Sequence, residues 1–498
     1  MSELDNARTQ SWFYAYNPLL EQIPVFNNYE DVVDAIAFNP LEGIDVNTMS
    51  FVDKVGLLAG EKTPLEPTMK SVRAAITWHG MLVNGLRARN PTLANNRAYY
   101  YQVLECANEG KTRLPVAPTS GMAINIMKGP TGTGKTVTHK RFCACLPQVI
   151  DHGKVEAAGW QNMRQLVYLN VDLSHDGSRG GFLISILSEM DKHLETNYAD
   201  NLPKQFRTVE TLAVGTIGRL VAHYTGIIFV DEAQLRNIVD SAQAEQMQMF
   251  LLKLMNSGIP LVFSGNECAF NWVDYSQDKS RFGLTQESLF SPIGAMNERE
   301  ADDEWDALFD GVSSYYLLKN PITNPEECSF TLRICSGGIA RLALTLWCYA
   351  QTNALYDGSK TIGPADILAA YESACFDEMR PLADGFHYKN SELLALYPDV
   401  NDEFYKAIWE QLKDNNKQKT IHVNEISNKA VQERTKQKRP LSGKTKLMLE
   451  QKRNQKKVEN RAKLIATMSP EDIRQQGLIN SNLKSLEKLR IEIEKAGM

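Results

Sequence analysis

The chain has 498 residues, 43% of them hydrophobic and 23% charged, with a net charge of −6. That length can bury the cores of two to four structural units. No window nears the 18 or more apolar residues of a membrane span, and Met1-Ser2-Glu3-Leu4-Asp5 lacks the basic and apolar regions of a signal peptide, so a cytoplasmic protein with no membrane contact is expected. The eight cysteines form no Cys-x-x-Cys pair, which points away from a disulfide framework and from a zinc site. His139, Cys143 and Cys145 have a ligand-like spacing, yet all three fall on one predicted helix, where packing is the expected role.

Residues 1–114 read as a separate N-terminal extension of helical, proline-punctuated segments. From residue 115 to 319 short apolar runs alternate with longer amphipathic stretches: Ala123–Met127, Leu166–Val171, Ile227–Val230, Ile259–Phe263 and Tyr315–Leu318. Five strands separated by helices predict an α/β unit with a parallel five-stranded sheet covered on both faces.

Directly after the first run stands Gly129-Pro130-Thr131-Gly132-Thr133-Gly134-Lys135-Thr136, which fits G-x-x-x-x-G-K-[ST] at every fixed position. Strand, glycine loop and helix follow in the order a phosphate site requires. The glycines let backbone wrap a phosphate, the helix N-terminus supplies amides and a positive dipole end, Lys135 reaches the terminal phosphates and Thr136 offers its hydroxyl to Mg²⁺. The expected ligands are ATP and Mg²⁺.

Gly226-Ile227-Ile228-Phe229-Val230-Asp231-Glu232 is an apolar strand ending in two acids, a Walker B pattern. Asp231 is expected to hold the Mg²⁺ shell and Glu232 to orient or deprotonate the attacking water. Ser264-Gly265-Asn266 closes the next strand, where Asn266 is the candidate γ-phosphate sensor and Ser264 the less favoured one. In Ser280-Arg281-Phe282, Arg281 is placed to reach the γ-phosphate of a neighbouring subunit, and in Ser336-Gly337-Gly338-Ile339-Ala340-Arg341, Arg341 is placed to contact nucleotide from a lid. Residues 320–386 read as that small helical lid.

Residues 387–498 form a basic tail. Between Lys413 and Lys463 sixteen Lys and Arg face five Asp and Glu, a local +11 that leaves −17 on the rest of the chain. Such a run predicts an anionic partner.

The order of these features resembles the AAA+ ATPases: P-loop, Walker B with Asp-Glu, polar sensor, arginine finger, then a helical lid with Gly-x-x-Arg. Within them the chain is similar to the TnsC/TniB group of ATPase regulators of Tn-seven-like transposons. Leu146–Ile150, the stretch Val167–Ser178, Tyr16-Asn17-Pro18-Leu19 with Ile23-Pro24, and Arg89-Asn90-Pro91 carry that likeness, which extends from about Asn17 to Phe386. The resemblance implies assembly of a homo-oligomeric ring or filament on double-stranded DNA, a TnsD or TniQ-type target selector contacting the N-terminal region, and TnsA and TnsB transposase subunits contacting the tail. Its function would be to link selector to transposase and activate transposition, with hydrolysis resetting the assembly. The alternative is an AAA+ initiator or loader acting on DNA or a secretion apparatus.

Two positions depart from the family: Asn266 stands where prototype members have Thr, and Arg341 where some have no basic residue. For DNA the best-placed candidates are Ser174, His175, Ser178 and Arg179, since a protein tracking the backbone needs a few polar or basic groups per loop. Lys154 with Arg164 is a reserve pair, and Lys70, Arg73, Arg87 and Arg89 form a basic group around Trp78.

Overall fold

A computed structural model describes residues 15–60, 63–115, 117, 123–173, 178–231, 250–251, 253–267, 284–296 and 300–412. Those residues divide into two compact units, one drawn from Met1–Phe38 and Pro67–Phe290, the other from Asn39–Glu66 and Ser291–Met498.

The described strands are β1 (Ile124–Lys128), β2 (Val149–His152), β3 (Met163–Leu166), β4 (Tyr168–Asp172), β5 (Ile227–Asp231), β6 (Leu261–Gly265) and β7 (Leu284–Leu289). All belong to the first unit. Strands β2 and β3 pair as an antiparallel ribbon, while the other five form one parallel sheet in the order β4-β5-β6-β1-β7. The unit's described helices include α1 (Tyr29–Ile36), α2 (Met69–Ala88), α3 (Ala94–Asn108), α4 (Lys135–Ala144), α5 (Arg179–Leu194), α6 (Tyr198–Gln205) and α7 (Val209–Ala222).

Alternation along the strands divides the core between the two faces of the sheet. Ile228 and Val230 join Val103 of α3, Phe182 and Ile186 of α5 and Ile217 of α7 on one side. Ile227 and Phe229 join Ile36 of α1, Trp78 of α2 and Phe142 of α4 on the other. Trp78, fully buried, meets Phe142 and Phe229 edge-on, each with ring centroids 5.5 Å away, and its indole Nε1 donates to Asn125 Oδ1 of β1 at 2.9 Å. Helix α2 therefore shares a core with the sheet.

Register brings the strand tips together. Lys128 is level with Gly265, and Val230 with Phe263, so Gly129, Asp231 and Asn266 all leave the sheet at its C-terminal edge. In open parallel sheets that edge is where ligands bind.

The second unit's described residues include the helix Phe51–Leu58, whose Leu58 packs with Leu41, Tyr315 and Leu317, and α8 (Ala301–Ser314), α9 (Pro325–Ser336), α10 (Ala340–Asp357), α11 (Pro364–Glu372) and α12 (Arg380–His387), packed around Trp347, Leu332 and Phe386. Tyr315–Leu318, expected as the fifth strand, lies here and is not one; the fifth strand is β7. The segment is buried because side chains satisfy its backbone in place of a ladder. Gln351 Oε1 accepts from Leu317 N at 2.8 Å, while Trp347 Nε1 and Gln351 Nε2 both donate to the Tyr315 carbonyl at 3.0 Å. Gly337 and Gly338 of the lid motif have a packing reason: a Cβ at either would stand 2.3 Å from a carbonyl oxygen, of Ala383 and of Ile293 respectively.

Candidate nucleotide-binding site

The loop between β1 and α4 is shaped by two glycines in particular. A Cβ at Gly129 would lie 2.1 Å from the Phe290 carbonyl oxygen, just where Phe290 N donates to Lys128 O at 2.7 Å and continues the β1–β7 ladder. Gly134 has φ +95° and is the N-cap of α4, a left-handed conformation that glycine adopts without steric cost. The first turn of α4 consequently presents amides at the open edge of the sheet, the arrangement that binds anions.

Lys135 folds over its own loop, its Nζ donating to Gly129 O at 2.7 Å and Pro130 O at 2.9 Å. Thr133 Oγ1 donates to Pro130 O at 2.9 Å and firms the same turn. Thr136 Oγ1 donates to Asp231 Oδ2 at 3.2 Å, so residues 95 positions apart meet across the edge of the sheet. A hydroxyl and a carboxylate oxygen are hard donors, and this pair fits Mg²⁺ as two members of a mostly aqueous and phosphate-derived shell. Among the described residues no group of three or more His, Cys, Asp and Glu is placed to hold a metal by itself.

Asn266 is buried at the tip of β6, and Glu267 beside it is buried as well, at 5% exposure. Sequence reading missed Glu267, whose signal would have been a carboxylate one step past a strand tip bordering the P-loop. The Ser264 hydroxyl is buried with no hydrogen-bond partner among the described residues. Helix α4 is held from behind by Thr138, whose Oγ1 lies 3.1 Å from Ser71 Oγ of α2, and by His139, whose Nε2 lies 2.8 Å from Asn170 Oδ1 of β4.

The other expected site residues are placed as follows. Glu232, Arg281, Ser174 and His175 lie outside the described residues, as does the basic stretch Lys413–Lys463. Arg341 is exposed near the start of α10 in the second unit. Ser178 is the N-cap of α5, its Oγ accepting from Gly181 N at 3.0 Å. Arg179 pairs with Glu210 at 2.5 Å, and Lys253 reaches the same carboxylate at 2.7 Å. Hydrogen bonds from Lys253 and then Arg179 hold the Glu210 carboxyl below its usual range. The three line a cavity of about 220 Å³ with Leu183, Ala213 and Phe250. Lys154 is tied to Glu156 at 2.8 Å and Arg164 to Asp151 at 3.0 Å.

Arg89, grouped with surface cations by its sequence context, is buried. Its Nε donates to Gly85 O at 3.1 Å, and its two terminal nitrogens to Thr225 O at 2.6 Å and Gly226 O at 3.2 Å, anchoring the turn that feeds β5. Burial pulls its pKa down to about 10, which leaves it charged at neutral pH.

A parallel α/β unit with a complete phosphate loop, and with a threonine–aspartate pair at that loop's foot, defines a nucleoside-triphosphate-binding domain. Residues 120–272 match the family model described as AAA domain. Among solved structures, the ORC1 protein of Aeropyrum pernix in complex with DNA aligns at 16% identity over 65% of this chain and 80% of its own, with a TM-score of 0.35. A Walker-type ATPase of Pyrococcus abyssi aligns at 12% identity over 64% of this chain and 88% of its own, with a TM-score of 0.33. No curated protein matches the chain. No described helix is long and apolar enough to cross a membrane.

Proposed function

We propose that the chain is an ATP-dependent regulator of DNA transposition that assembles on double-stranded DNA, receives a target signal from a TnsD or TniQ-type selector and activates a TnsA–TnsB transposase. The observation that carries its nucleotide dependence is the Thr136–Asp231 pair beneath the P-loop. What supports the transposition reading is the sequence resemblance from about Asn17 to Phe386.

In this reading Lys135 leaves the Gly129 and Pro130 carbonyls for the terminal phosphates, and the amides of the Gly129–Thr136 loop enclose them. Bound Mg²⁺, held through Thr136 and Asp231, supplies charge neutralisation at the phosphate oxygens. Glu232 accepts a proton from the attacking water, and Asn266 reads the γ-phosphate. Arg281 acts from the neighbouring subunit and Arg341 from the lid, so that turnover depends on assembly. Ser174, His175, Ser178 and Arg179, which follow β4 in sequence, contact the DNA backbone. ATP favours the assembled state and hydrolysis dissolves it. Residues 1–114 would meet the selector and the tail from residue 387 onward the transposase.

Electron microscopy of the purified protein with duplex DNA and a non-hydrolysable ATP analogue tests this directly. Rings or filaments seen only with both ligands are expected, together with ATP turnover that rises on adding DNA. Turnover indifferent to DNA, with no assembly on it, would refute the proposal. DNA-dependent assembly that never stimulates a cognate transposase would make the chain a loader or initiator instead.

A further inference from the structure

His139 and Cys143 have ligand-like spacing on α4, and the structure gives that spacing a different use. Both side chains converge on one oxygen: Asn170 Oδ1 accepts from His139 Nε2 at 2.8 Å and from Cys143 Sγ at 3.5 Å. The His139 ring also lies on Phe229 of β5, with centroids 4.4 Å apart and planes 25° from parallel. His139 is one helical turn beyond Thr136, and Phe229 is two residues before Asp231. Positions i and i+3 share a helix face, and i and i+2 share a strand face. Helix α4 and strand β5 are therefore joined by Thr136 on Asp231 and His139 on Phe229, with Phe142 of α4 meeting the same Phe229 at a centroid distance of 6.1 Å.

We infer that His139 is a positioning residue for the Mg²⁺ site. Its ring against Phe229 sets the spacing between α4 and β5, and its bond to Asn170 of β4, the strand paired with β5, stops α4 from sliding along the sheet. Thr136 Oγ1 and Asp231 Oδ2 are thereby held close enough to serve one small cation, which tolerates little departure from octahedral geometry. Burial keeps the imidazole neutral, so the role is one of shape and hydrogen bonding. The inference rests on the nucleotide-site reading of the P-loop. Phosphate contacts from the loop amides and Lys135 do not pass through His139, which separates its effect on metal from its effect on nucleotide.

The test is equilibrium binding of a fluorescent ATP analogue to the full-length protein, first with EDTA and then across a Mg²⁺ titration. His139→Ala is expected to change metal-free affinity by less than about twofold, while the Mg²⁺ concentration for half-maximal enhancement rises about tenfold, equivalent to about 1.4 kcal/mol. His139→Gln, which can still donate an N–H towards Asn170, should recover part of that loss. Asn170→Ala should reproduce it, and adding Asn170→Ala to His139→Ala should cost little more. Thermal unfolding checks that the variants are folded; if His139→Ala is not, His139→Gln and Asn170→Ala decide between the outcomes. An unchanged Mg²⁺ midpoint, or equal losses with and without metal, would overturn the inference. Absence of Mg²⁺-dependent nucleotide binding by the unmodified protein would instead overturn the nucleotide site itself.

Discussion

Lys135→Ala should separate folding from ligand binding. In the structure the ammonium donates to Gly129 O and Pro130 O, at 2.7 and 2.9 Å, and the loop around it is partly open to water. Water can replace those two bonds, so each contributes about 1 kcal/mol at most and the stability loss should stay below about 2 kcal/mol. Against phosphate the same nitrogen makes charge-assisted bonds of about 1.5–3 kcal/mol, and two of them lost would weaken ATP binding by roughly two orders of magnitude or more. Calorimetric titration with ATP and Mg²⁺, alongside urea denaturation of the nucleotide-free protein, reads both quantities. The expected result is a Kd raised at least about a hundredfold with a small shift in the urea midpoint. ATP affinity within about threefold of the unmodified protein would refute the phosphate assignment. A collapse of stability would show that the lysine's role is to build the loop and not to grip the ligand.

Gly129→Ala must displace either the loop or the end of β7, because its Cβ would stand 2.1 Å from the Phe290 carbonyl oxygen; a loss of about 1–3 kcal/mol in urea denaturation and weaker ATP binding are expected, and an unchanged midpoint would refute the packing argument. Arg89→Met removes three bonds to carbonyls and strands those of Thr225 and Gly226 in the core, which should cost about 3–5 kcal/mol; a loss below about 1 kcal/mol in the same assay would show that water reaches them. Burial holds the His139 and His223 imidazoles below their ordinary value of 6.5, so the unfolded chain takes up protons that the folded chain refuses. Their contribution is complete above about pH 6.5 and declines as pH falls below it. Denaturation midpoints measured from pH 8 to 5.5 should fall on the acid side, and a flat or rising profile would contradict the sign.

The P-loop was legible because its chemistry is local: two glycines, a lysine and a threonine at fixed spacing need no distant partner to be recognised. Strands β5 and β6 were legible for a related reason, since a strand buried on both faces must be a continuous apolar run. Strand β7 escaped because Leu284-Thr285-Gln286-Glu287-Ser288-Leu289 is largely polar, which an edge position beside β1 permits. The opposite error came from Tyr315–Leu318, apolar enough for a strand yet buried through the side chains of Gln351 and Trp347. Apolar pattern reports that a segment is covered, not which groups take its backbone bonds. The same gap explains Arg89 and His139. Each sits in a sequence context that suggests a surface cation or a metal ligand, and each is committed to an oxygen far along the chain, 136 and 31 residues away. These long-range polar pairings, which no single-sequence periodicity encodes, anchor β5 and α4, the two elements that carry Asp231 and Thr136. The recognisable motif thus supplies the groups that touch nucleotide, while the distance between those groups is set by residues whose roles appear only once the chain is folded.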